Sequence, residues 1–226
     1  MRKAKTAICT PKTTRMTPNR TRIFRCNTCQ GLFAHRHYAE VAGQRHVKRS
    51  DDPELPGLND YAPPLVACPH CGDAFCLLGA EHESEFFSLD NTTPMMRDSI
   101  QKVPDFAKAT LAQCEAQAQN WDDTDLEWEF RLQAWQRLND ERIETSPRGL
   151  DSNQRHNLQR LFGISTRMPN DPLIQVELLR QMSRFEEAAN ILRPLCSPVF
   201  NPPPQSTVAQ LMKAITQKND QPFYYG

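Results

Sequence analysis

Cys68-Pro69-His70-Cys71-Gly72 carries two thiols on one tight turn, and 42 positions upstream Cys26-Asn27-Thr28-Cys29 does the same. A Cys-x2-Cys spacing sets two sulfurs at the tip of a turn, near enough to share an ion. Two such pairs, separated by the 38 residues from Gln30 to Ala67, supply the four thiolates that a tetrahedral Zn2+ takes at about 2.3 Å. The spacer exceeds the usual ~15–20 residues, but Gly72 lets backbone amides turn back toward the sulfurs and stabilise their charge. Cys26, Cys29, Cys68 and Cys71 are therefore the expected ligands of one structural Zn2+. Four protein thiolates leave no open position on the ion, so it holds the chain together and activates no water. Iron in a rubredoxin-like site is the competing reading, because the tetrahedron alone does not select the metal. Cys76 reads as a strand cysteine or a stand-in ligand, Cys114 and Cys196 as helix-core thiols, and Cys9 as incidental.

A chain of 226 residues suits one good-sized domain or two small ones. Its 27 basic and 27 acidic residues balance overall but not along the chain. Residues 1–50 hold 12 Lys and Arg against one acid, and residues 51–150 hold 7 against 20. Such segregation makes the two regions attract each other, or directs the basic part to an outside polyanion. No apolar run approaches the roughly 20 residues that span a bilayer. The basic start MRKAKTAICTPKTTR lacks the apolar core of a signal peptide. A soluble, cytoplasmic protein with no membrane contact is expected. In that reducing compartment eight cysteines point to metal in place of disulfides.

Residues 1–22, rich in Lys, Arg, Thr and Pro, read as a disordered basic arm. Residues 23–87 read as short strands around the metal, and 88–103 as a polar linker ending before Pro104, which suits the first turn of a helix. Helical periodicity fills 104–226. Residues 106–119 and 125–143 read as helices, the second with Trp128, Leu132 and Trp135 on one face. Ser152 caps a short helix bearing Leu158, Leu161 and Phe162; Asp171-Pro172 opens a helix to 182; and after Ser183-Arg184 another covers 185–195. Ser206 begins the last, to about 217. The expected fold class is α+β: a small N-terminal β zinc ribbon with an all-α helical-hairpin C-terminal domain.

His35, His37 and His46 fall between the two cysteine pairs, and His70 within the second. Nucleases of the HNH class also set a catalytic His between two such pairs, and His46, Asn59 and Leu65-Val66-Ala67-Cys68 look superficially similar. His46 would there be the general base beside a second, open metal site. Gln44-Arg45 stand where a ligating acid or His is expected, and Gly72-Asp73-Ala74-Phe75 lacks the His or Asn that completes such a site. A metal-dependent nuclease is kept as an alternative only. No Gly-rich phosphate loop, Gly-x-Ser-x-Gly elbow or His-Glu-x-x-His helix occurs in the sequence, and no small-molecule substrate is evident.

The order of features over 24–87 resembles a family of uncharacterised bacterial proteins that join a two-knuckle zinc ribbon to a helical repeat domain. The resemblance rests on Cys26, Cys29 and Phe33, on Lys48-Arg49-Ser50-Asp51-Asp52 and on Asn59-Asp60-Tyr61. It continues through Cys68-Pro69-His70-Cys71-Gly72-Asp73-Ala74-Phe75, departing at Asp73, where that family prefers Tyr. Residues 176–188 look like the helix–turn–helix of tetratricopeptide-type proteins, although one hairpin makes no solenoid, which takes about three repeats. The resemblance implies a fold and a zinc ion, and no activity.

The expected function is binding without catalysis. Arg20, Arg22, Arg25, Arg36, Arg45, Lys48 and Arg49 suit the phosphate backbone of RNA or DNA, with Phe24, Phe33 and Tyr38 available to stack on bases. The rival is a protein–protein interaction adaptor. In that reading the ribbon is a staple, the helical domain holds a protein partner, and the arm docks on the chain's own acidic middle.

Overall fold

The computed structural model describes residues 18–38, 64–77, 80–87, 92–120, 124–145, 149–167, 172–196 and 206–223. His46, Asn59 and the arm before Pro18 lie outside them. Strand β1 (Pro18–Arg25) and strand β2 (Leu32–Tyr38) form an antiparallel hairpin whose turn is the first cysteine pair. Strands β3 (Leu65–Ala67) and β4 (Ala74–Cys76) form another around the second pair.

The two hairpins are one pattern used twice. Arg25 faces Leu32, Phe24 faces Phe33 and Ile23 faces Ala34. A constant offset of 42 positions turns these into Ala67–Ala74, Val66–Phe75 and Leu65–Cys76, which are the pairs of the second hairpin. Each hairpin also gains a third antiparallel strand on its first: β5 (Ser84–Phe87) on β1, and β6 (Ala107–Lys108) on β3. Equivalent side chains then meet. Phe24, Cys26 and Phe33 pack with Val66, Cys68 and Phe75 in one small core, with Phe24 stacked on Phe33 at 5.7 Å and Phe75 edge-on to Phe33 at 5.2 Å. Aromatic pairs in this geometry add about 0.5–1.5 kcal/mol each beyond their burial.

The segment read as a linker contains a helix. Helix α1 (Pro94–Lys102) is capped by the Thr93 hydroxyl, which accepts the Met96 amide at 3.3 Å, and it buries Ile100 beside Ile23 and Ala34. Pro104 starts no helix. Its carbonyl accepts the Ala34 amide at 2.8 Å, and the Ala34 carbonyl accepts the Phe106 amide at 3.2 Å. The chain thus passes from the outer edge of β2 into β6, and the expected helix begins only at Leu111. There Thr110 and Gln113 cap each other reciprocally, a start signal that outweighs the apolar pattern before it.

Helices α2 (Leu111–Gln119), α3 (Thr124–Thr145), α4 (Ser152–Ser165), α5 (Pro172–Gln181), α6 (Phe185–Leu192) and α7 (Thr207–Thr216) pack in succession. Trp128, Leu132 and Trp135 are buried as their spacing predicts, among Leu158, Leu161, Leu178, Leu179 and Leu211. Asp151 caps α4 in place of Ser152, accepting the Gln154 amide at 2.9 Å. Ser183 turns the chain between α5 and α6 with a left-handed φ of 61°, and a 3-10 turn (Arg193–Cys196) follows α6.

The sheets and the helices share one framework. Leu65 of β3 packs with Cys114, Ala118, Phe130 and Ala134 of α2 and α3. The Gln133 side chain donates to the Leu65 carbonyl at 2.5 Å and accepts its amide at 3.0 Å. Strand β6, from the segment read as helical domain, completes the second sheet. Among the described residues no helix is long and apolar enough to cross a membrane.

Candidate metal centre

Each cysteine turn is closed by the same two backbone hydrogen bonds. In the first, the Cys26 amide donates to the Gly31 carbonyl at 3.0 Å and the Gln30 amide to the Cys26 carbonyl at 2.9 Å. In the second, the Cys68 amide donates to Asp73 at 2.8 Å and the Gly72 amide to Cys68 at 2.9 Å. Gln30 and Gly72 occupy the equivalent left-handed position, with φ of 61° and 79°. This winding turns amides onto the sulfurs: those of Cys29 and Thr28 onto Cys26, Gly31 onto Cys29, and Asp73 onto Cys71. The His70 amide reaches the Cys68 sulfur at 3.4 Å.

All four expected sulfurs come together, within 4.8 Å of one another. Cys26 Sγ lies 3.7 Å from Cys71 Sγ, and Cys29 Sγ lies 3.6 Å from Cys68 Sγ. A tetrahedron with metal–sulfur bonds of about 2.3 Å has sulfur–sulfur edges of ~3.8 Å, so the residues fit a tetrahedral ion. Cys26 and Cys68 are buried and Cys29 and Cys71 exposed, again equivalent across the two turns.

Electrostatics point the same way. The Cys29 amide, followed by that of Thr28, holds the Cys26 thiol down to about 7 against burial. The Asp73 amide lowers the Cys71 thiol, but desolvation and the sulfurs of Cys29, Cys26 and Cys68 outweigh it and push it up to about 12. The Gly31 amide lowers Cys29, yet desolvation and the Cys68 and Cys26 sulfurs leave it raised. One thiolate forms readily and its charge opposes the rest; a divalent cation removes that opposition.

His70 locks one turn onto the other. Its Nε2–H donates to the Leu32 carbonyl at 2.8 Å, and its ring lies where a side chain at residue 31 would be: a Cβ built on Gly31 collides with His70 Cδ2. Gln113 of α2 donates to the Gly72 carbonyl at 3.0 Å. Cys76 packs half-buried beside Leu65 and Phe130 and stands outside the four-sulfur group. Cys114 is fully buried, and that burial pushes its thiol up to about 11.

Four of the basic residues expected to meet phosphate form ion pairs within the chain. Arg20 and Arg22 both reach Glu85, at 2.5 and 2.6 Å, and Arg25 reaches Glu83 at 2.6 Å. Arg36 pairs with Asp105 and also donates to the Ile100 and Val103 carbonyls, each at 2.8 Å. The charge segregation of the sequence is thus partly internal. Arg20, then Arg22, holds the Glu85 carboxyl down to about 2. Arg45, Lys48 and Arg49 lie outside the described residues. Phe24 and Phe33 cannot stack on bases as expected: they face each other across the hairpin on its inward side and are buried, at 3% and 0% exposure.

Comparisons add no relative: no family model, no curated protein and no solved structure matches the chain.

Proposed function

We propose that the chain is a zinc-ribbon protein in which Cys26, Cys29, Cys68 and Cys71 hold one structural Zn2+, and that it acts by binding without catalysis. The observation that carries this reading is the pair of sulfur contacts between the turns, 3.6 and 3.7 Å, which match the edge of a thiolate tetrahedron. A closed shell gives the ion a holding role: it joins two hairpins whose common core is six buried side chains with Leu77, Ala80 and Phe106 packed against them, a small core of the kind that a structural metal supplements. Elemental analysis of protein purified without added metal tests it. One zinc per chain is expected; a protein that lacks metal yet keeps both hairpins sinks the reading, and iron in its place overturns the choice of zinc.

The uneven charge favours nucleic acid as what is bound. With Arg20, Arg22, Arg25 and Arg36 engaged internally, the reading rests on Arg45, Lys48, Arg49 and the basic residues before Pro18. Fluorescence anisotropy with single-stranded RNA and with duplex DNA at about 50 mM salt, where phosphate contacts are strongest, tests it. Deleting residues 1–17 weakens binding if the reading holds. The deletion stops there because removal through 22 also cuts β1. Absence of binding at that salt leaves the adaptor reading, with the helical domain as the partner's platform.

A further inference from the structure

Two contacts within the four-sulfur cluster each join one buried cysteine to one exposed one. Cys71 is exposed and lies 3.7 Å from buried Cys26; Cys29 is exposed and lies 3.6 Å from buried Cys68. Both contacts run between the turns. We propose that the centre is also an oxidation site, at which a peroxide converts the four thiolates into two disulfides, Cys26–Cys71 and Cys29–Cys68, and releases the ion. The proposal rests on the zinc-ribbon reading.

The chemistry needs a two-electron oxidant, and hydrogen peroxide supplies it. An exposed thiolate, Cys29 or Cys71, attacks one peroxide oxygen; the O–O bond breaks, leaving a sulfenic acid and a hydroxide that takes a proton to become water. The buried partner's thiolate then attacks the sulfenic sulfur, forming the S–S bond and expelling a second hydroxide, which also leaves as water. Each disulfide consumes one peroxide and two protons and reduces the peroxide by two electrons. The sulfurs close by about 1.6 Å to reach the ~2.0 Å bond. Zn2+ loses all four ligands and departs into water. A dithiol reductant reverses both bonds and restores the ligands.

The consequence is specific to the pairing. Because both new bonds cross from one turn to the other, they tie together the same two hairpins that the ion tied. Chelation removes the link at the sulfurs and leaves the His70–Leu32 hydrogen bond and the shared apolar core, whereas oxidation replaces the link. The closed disulfide state should therefore keep the β1–β2 and β3–β4 hairpins in contact without metal.

The full-length zinc-loaded protein is treated with two and with ten equivalents of hydrogen peroxide. Zinc release is followed with a chromogenic chelator, free thiols are counted, and the disulfides are mapped by mass spectrometry of a non-reducing digest. The expected result is release of one zinc per chain, loss of four thiols, and peptides around Cys26–Cys29 joined covalently to those around Cys68–Cys71. Cys71→Ser should then yield only the Cys29–Cys68 bond. Disulfides within each turn, a Cys26–Cys68 linkage, or four thiols and bound zinc surviving ten equivalents each overturn the proposal. Zinc content before oxidation reads the underlying assignment separately: a chain purified without zinc sinks the metal reading, while the digest map still decides the pairing.

Discussion

The hairpin around Cys26 and Cys29 and the hairpin around Cys68 and Cys71 reach the same geometry with different residues. Their strand registers, turn hydrogen bonds and buried-then-exposed cysteines coincide at an offset of 42 positions. Apart from the cysteines, the turn positions differ: Thr28 against His70, Gln30 against Gly72, Gly31 against Asp73. The left-handed residue is glycine in one turn and glutamine in the other. If the four sulfurs hold zinc as proposed, its apparent binding energy of about 10–16 kcal/mol far exceeds the ~1–2 kcal/mol that a side chain costs in a left-handed conformation. On the proposed zinc-ribbon reading, the turn needs its sulfurs and its backbone hydrogen bonds and tolerates much else.

The largest effect should come from the ligands, and it should be the same in both turns. Cys26→Ser and Cys68→Ser, at equivalent buried positions, should each weaken zinc binding by more than the 10–100-fold typical of residues that only support ligands. Competition against a chelator measures this. A large difference between the two variants breaks the equivalence of the hairpins.

The next effect should separate them. Gly31→Ala sets a Cβ against the His70 ring and displaces the hydrogen bond to Leu32, which should cost about 1–3 kcal/mol in denaturant unfolding, the usual range for overpacking. Asp73→Ala, the equivalent position in the other turn, should change little. Adding His70→Ala to Gly31→Ala should remove the clash and leave about 1 kcal/mol for the lost hydrogen bond. The non-additivity of that cycle measures the lock directly.

Smaller again are the left-handed positions, where opposite signs are expected. Gly72→Ala should destabilise by about 1 kcal/mol, because a Cβ is strained at φ 79° although nothing lies within 4 Å of it. Gln30→Gly should stabilise by a few tenths of a kcal/mol, as relief of strain is offset by the freedom glycine gains in the unfolded chain. Equal signs would show that the two turns are wound differently in solution.

The cysteine spacing made the four sulfurs legible in the sequence, since a shared ion needs only two short turns and a chain long enough to join them. The α3 face of Trp128, Leu132 and Trp135 was legible for a similar reason: helical periodicity is local. What stayed hidden depends on partners far along the chain. Residues 104–108 became an edge pairing and a strand because Ala34 and Val66 offered them backbone groups, which no local pattern records. Arg20, Arg22, Arg25 and Arg36 read as a phosphate-binding cluster because Glu83, Glu85 and Asp105, up to 69 residues away in sequence, were not visibly opposite them. The position of His70 over Gly31 joins the two turns in space and left no signature in either.

The third strands give the last contrast, and its effect should be the smallest. Strand β5 is held on β1 by Glu85, which accepts from Arg20 and Arg22, whereas β6 lies on β3 beside the apolar contact of Leu65 with α2 and α3. Glu85 is depressed from 4.5 to about 2 in the folded chain, so its pairs stabilise the fold above pH 4.5, and that contribution is lost as pH falls from 4.5 toward 2. Protons would also expel the proposed zinc from its thiolates, loosening both hairpins together and masking the difference. Glu85→Gln at pH 7 isolates the carboxylate: amide hydrogen exchange should quicken across Ser84–Phe87 and stay unchanged across Leu65–Ala67. Solvent reaches the pair, so the gain in exchange should be modest and should shrink further in high salt. Faster exchange in β3 as well would mean that the two sheets open as one unit, and that their likeness extends from geometry to stability.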